Sequence, residues 1–115
     1  MSAILAVLTA VAGYPALQAA DPRLWSGDEV TYLVRPMPEF PARARSNRGE
    51  AWVVCTVRAD GRFRSCEIES ETPRGNGFGR ATVAAMHRGA RIDMSADGPA
   101  EGDRVRANIG FWNGR

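Results

Sequence analysis

The sequence predicts an α+β domain: a three-stranded antiparallel sheet in the order hairpin, helix, strand, with one main helix on one face and a short helical turn before the first strand. Three observations carry this. Residues 51–70 hold two β-type runs around Asp60-Gly61, residues 76–91 repeat apolar side chains at helical spacing, and residues 104–112 alternate with period two.

Residues 36–41, PMPEFP, place three prolines in six positions. Each Pro lacks a backbone donor and restricts the residue before it, so the segment is extended. Pro41 then suits the start of a helical turn over residues 42–46. Residues 51–58, AWVVCTVR, are filled by β-branched and aromatic side chains. Val53, Cys55 and Val57 share one face and Trp52, Val54 and Thr56 the other. A strand apolar on both faces is central in its sheet or covered on its second face. Asp60-Gly61 supplies the turn. The returning strand, residues 62–70, directs Cys66 and Ile68 inward and Ser65, Glu67 and Glu69 outward.

Asn76 is the expected N-cap of the helix, and Phe78, Thr82, Ala85, Met86 and Gly89 form its buried stripe. Gly79 and Gly89 each cost about 1 kcal/mol relative to Ala, so packing must supply most of the helix's stability. In the last strand Val105, Ala107, Ile109 and Phe111 point inward; Arg104, Arg106, Asn108 and Trp112 point outward. Residues 21–35 form an N-terminal arm in which residues 30–34 could be a short strand.

The length of 115 residues allows one domain. Net charge is +2, from 15 basic and 13 acidic side chains, and every basic residue is Arg. So small an excess does not point to nucleic acid. Residues 3–20 carry no charge and end in small residues, which fits a signal peptide spanning residues 1–20 and cleaved near Ala19 or Ala20. The competing reading is a membrane anchor, the one case in which the protein would contact a membrane. Both export the rest of the chain.

Cys55 and Cys66 are the only cysteines. In an oxidising compartment they are expected to bond, and the hairpin register decides whether they can. With a two-residue loop at Asp60 and Gly61 they stand directly opposite each other; with a three-residue loop and Gly61 in a bulge they fall on opposite faces. Two cysteines and one histidine without clustered spacing make no metal site. His87 has no Ser or Cys partner in sequence and reads as a solvated helix residue, not a general base. Glu67, Glu69 and Glu71 read as a solvent-facing stripe opposite arginines of neighbouring strands. Arg43, Arg45 and Arg48 read as a solvated surface. No catalytic residue and no cofactor is expected.

Residues 36–114 resemble the C-terminal domain of TonB, the energy-transducing protein of Gram-negative bacteria. The resemblance rests on Phe40-Pro41-Ala42-Arg43-Ala44, which is similar to the family's aromatic-Pro-x-x-Ala signature, and on Gly49 before the first strand. The Asp60-Gly61-Arg62 turn and the terminal Phe111-Trp112-Asn113-Gly114 add to it. It implies a periplasmic module, residues 36–115, whose last strand is an exposed edge for an extended peptide, the TonB box of an outer-membrane transporter or a segment of another envelope protein. By position the docking strand is Arg104, Val105, Arg106, Ala107, Asn108, Ile109, Gly110, Phe111 and Trp112, with residues 33–36 beside the docked peptide. The family's long Pro-rich spacer has no counterpart in residues 21–35, which span about 50 Å at full extension. A structural alternative is homodimerisation through the same edge and through Trp52 and Val54.

Overall fold

The computed structural model describes residues 21–114; the expected signal peptide or anchor, residues 1–20, lies outside them. The elements are β1 (Leu24–Ser26), a 3-10 turn (Gly27–Glu29), β2 (Tyr32–Val34), β3 (Arg48–Val57), β4 (Phe63–Thr72), α1 (Phe78–Arg88), β5 (Arg91–Ile92) and β6 (Arg104–Trp112). The hairpin β3–β4, the helix and the last strand appear in the expected order. The three-stranded sheet needs correction: it has four strands, ordered β1, β6, β3, β4, and a separate ribbon joins β2 to β5. β3 is central, antiparallel to both β4 and β6, whereas β1 runs parallel to β6. Three-residue β1 and two-residue β5 are too short to carry a period-two signal. The helical turn expected over residues 42–46 is a single reverse turn closed by Ala44 N–H donating to the Pro41 carbonyl at 3.2 Å.

α1 covers one sheet face. The larger core gathers Val53, Cys55 and Val57 of β3, Phe63 of β4, Met86 of α1 and Val105 of β6, joined by Trp25 of β1. A second core joins Ala51, Phe78 and Phe111 to Phe40 and Ala44. Its three rings pack with centroids 5.0–6.3 Å apart, two of the pairs edge-on. Here the signature residues find their physical reason. Phe40 completes the ring cluster, and Gly49 lies under Phe78, where an added Cβ would come within 2.2 Å of the ring.

Asn76 is not the N-cap. Gly77 in the left-handed region occupies that position, and α1 starts at Phe78. The buried Asn76 side chain instead accepts the N–H groups of Arg45 (2.6 Å) and Ser46 (3.1 Å), tying the signature turn to the helix entry.

The hairpin combines the two registers weighed for the cysteines. Arg58 N–H donates to the Arg62 carbonyl at 2.8 Å, and Gly61 has φ +86°, so the loop has three residues. In this register Thr56 faces Arg64. A bulge at Ser65, with φ 54°, then shifts the pairing so that Val54 faces Glu67, and Cys55 and Cys66 form the disulfide. The bulge leaves the Cys66 N–H outside the ladder, and it donates to His87 Nε2 at 3.3 Å. A second irregularity, between the pairs Trp52–Ser70 and Val53–Ile68, turns Glu71 to the helix side.

Candidate strand-pairing edge

β6 pairs with β3 along its whole length, from Arg48 opposite Trp112 to Thr56 opposite Arg104. In an extended strand the N–H and C=O of one residue point the same way and alternate along the chain. Arg104 N–H donates outward to the Arg23 carbonyl at 2.9 Å. By alternation the outward backbone groups are those of Arg104, Arg106, Asn108, Gly110 and Trp112, and those of Val105, Ala107, Ile109 and Phe111 face β3. β1 covers only residues 104–106. Among the described residues no strand pairs with this side of β6 beyond Arg106.

The expectation that residues 104–112 form one exposed edge is therefore corrected in its first third. The cover is held by one carboxylate. Asp103 accepts Arg23 N–H on Oδ1, and Trp25 Nε1–H and Ala100 N–H on Oδ2, each at 3.0 Å. Desolvation pushes this carboxyl up, but the donors on Ala100, Arg23 and Trp25, with the Arg23 charge, outweigh it and hold the group below the ordinary carboxylate range. Arg23 also stacks on the Trp25 ring at 3.7 Å. The sequence does not single out Asp103, because an Asp after Gly102 reads as loop and its partners Arg23 and Trp25 lie about 80 positions earlier.

The arm leaves the sheet at the 3-10 turn, whose start is fixed by Ser26 N–H donating to Glu29 at 2.8 Å and by Ser26 Oγ bonding Asp28. Gly27 passes so close that an added Cβ would lie 3.1 Å from the Arg106 carbonyl oxygen. Beyond it, arm and β6 diverge around a groove. Tyr32, Arg35 and Pro36 form one wall and residues 107–110 the other. Of the residues expected beside a docked peptide, Arg35 and Pro36 line this groove, while Leu33 is 56% exposed elsewhere. Burial pushes the Tyr32 phenol up, with the Arg35 charge opposing.

The inward and outward sets of β6 are as expected: Val105, Ala107 and Phe111 are buried and Ile109 is half-buried. On the sheet face away from α1, Val54 is buried within the chain and the Arg106 guanidinium lies 4.4 Å over Trp52. Arg104 pairs with Glu67 at 3.4 Å and Arg106 with Glu69 at 2.6 Å, each bridging β6 to β4 above β3. Glu71 leaves this stripe and accepts Gly79 N–H at 2.8 Å, at the start of α1. Asp60 and Gly61 serve the hairpin. Arg62 N–H lowers the Asp60 carboxyl against desolvation, helped by the Arg58 and Arg62 charges, and a Cβ on Gly61 would meet the Ile92 carbonyl oxygen at 2.4 Å.

The solution structure of the Pseudomonas aeruginosa TonB C-terminal domain superimposes with a TM-score of 0.59 over 78% of this chain and 94% of that one, at 22% sequence identity. The fold is TonB-like. No protein-family model and no curated protein matches the sequence. Among the described residues no group of His, Cys, Asp and Glu could hold a metal ion, and no helix is long and apolar enough to cross a membrane.

Proposed function

We propose that the protein is a periplasmic TonB-like binding module that adds an extended partner peptide, such as the TonB box of an outer-membrane transporter or a segment of another envelope protein, as a strand on β6. The observation that carries this is the outer side of residues 107–112, which no strand covers among the described residues, with residues 107–110 facing a groove between the sheet and the arm. An edge of this kind offers N–H and C=O groups that any extended chain can match. The reading is one of binding, with no catalytic step, cofactor or metal.

Magnitudes limit what the backbone alone achieves. Asn108, Gly110 and Trp112 present the outward groups, and each hydrogen bond is worth about 1 kcal/mol net. Association costs at least about 4 kcal/mol. Backbone pairing by itself gives weak binding, so side chains along the groove decide which peptide is held.

The test is an NMR titration of the protein with a panel of TonB-box peptides from transporters of the same organism. Saturable amide shifts concentrated on Asn108, Gly110 and Trp112 support strand pairing. No shift with any peptide in a folded sample overturns it, and a mass that rises with concentration would assign the edge to a second copy of the chain.

A further inference from the structure

We propose that the partner peptide carries a long cationic side chain, arginine or lysine, on the residue facing Gly110, and that Glu50 and Trp112 read it. The inference rests on the strand-pairing reading above and names the chemistry of its partner.

Residues opposite each other across an antiparallel pair share a sheet face, as do residues two apart on one strand. On the face away from α1, Trp112 stands opposite Arg48, Gly110 opposite Glu50, and Asn108 opposite Trp52. Gly110 leaves a gap in this row, since an added Cβ would meet nothing within 4 Å. Two concavities meet at Gly110, one between residues 107–110 and the arm, the other crossing the end of the sheet past Glu50, Arg48 and Trp112. Trp112 flanks the gap and is 69% exposed; Trp52, half-buried, lies diagonally across it.

Charge decides what fills the gap. Glu67 and Glu69 on this face each hold an arginine, whereas exposed Glu50 has no ion pair among the described residues. The two existing pairs run from β6 to β4, two strands apart with β3 between. A peptide strand on the open side of β6 stands in the same relation to Glu50 on β3, with β6 between. Gly110 is the residue the side chain must cross, and it offers no obstruction. Arg106 over Trp52 already stacks a guanidinium on an indole on this face. A cation crossing Gly110 finds Trp112 beside it and the Glu50 carboxylate ahead. Arg48 faces Trp112 and forms no ion pair with Glu50 among the described residues.

The probe is a set of Thr/Val peptides about seven residues long, with arginine, lysine, norleucine or glutamate at the position that intermolecular NOEs place opposite Gly110. An exposed cation–π contact with a surface ion pair predicts arginine binding roughly five- to ten-fold tighter than norleucine, and glutamate weakest. Glu50→Gln should remove the ion-pair share and lower that preference to about two- to five-fold, the cation–π part. Gly110→Val, whose branched side chain stands in the path to Glu50, should narrow the ratio of arginine to norleucine affinity whatever it does to strand pairing itself. Equal affinities for arginine and norleucine, or a preference unchanged by Glu50→Gln, overturn the inference and leave strand pairing standing. Absence of binding by every peptide overturns strand pairing and the inference with it.

Discussion

Replacing Asp103 by Ala removes the one acceptor shared by Arg23 N–H, Trp25 Nε1–H and Ala100 N–H. A hydrogen bond to a charged group is worth about 1.5–3 kcal/mol when sheltered. Two of these donors can turn to water, while the Trp25 indole belongs to a side chain only 8% exposed and loses its acceptor inside the fold. The expected loss is about 2 kcal/mol, concentrated in β1. That makes opening of the β1–β6 pairing about 30-fold more frequent. Amide hydrogen exchange reads it directly. The Arg104 amide, bonded to Arg23, should exchange about 30-fold faster, while the Val105 amide, facing β3, should change little. An unchanged Arg104 amide would refute the latch; Arg104 and Val105 accelerating together would mean general destabilisation. Opening β1 extends the free edge from residues 107–112 to residues 104–112, so the variant should also bind peptides that span nine residues more tightly. Acid should mimic the substitution. Because the folded-state carboxyl lies below the ordinary range, its contribution is complete above about pH 4 and is lost as pH falls through the lower, folded-state value.

Gly49→Ala would drive a Cβ to 2.2 Å from the fully buried Phe78 ring. Displacing that ring disturbs Phe40 and Phe111 together, and the expected loss is at the upper end of about 1–3 kcal/mol, measured by urea unfolding. The double substitution Cys55→Ala with Cys66→Ala opens a crosslink of sequence separation 11. It should lower unfolding free energy by about 2–3 kcal/mol, and reduction of the native protein should have an effect of similar size.

The hairpin, the helix and the alternation of β6 were legible because each depends on side chains within a few positions of one another. The signature Phe40-Pro41-x-x-Ala44 and Gly49 were legible as a pattern, but their role became physical only when Phe78 and Phe111 closed over them from distant parts of the chain. Glu71 was misassigned for a related reason. Alternation assumes an unbroken ladder, and the irregularity before it reversed its face. Of the candidate edge, the sequence pointed to the strand and to Arg35 and Pro36. It did not reveal β1, the Asp103 latch or the gap at Gly110, whose partners are set by pairing register.

By itself, then, the sequence determined the order of the long elements, the buried faces of β3 and β6 with most of that of α1, and the fold they resemble, because periodic burial is written locally. The tertiary structure alone decided how much of β6 is covered, how the cysteines meet and which carboxylates hold an arginine. Those depend on a parallel pairing across about 80 residues and on bulges that change register by one. Neither leaves a periodic trace, since a three-residue strand is shorter than any reliable pattern and a bulge is decided by what its neighbours can bond.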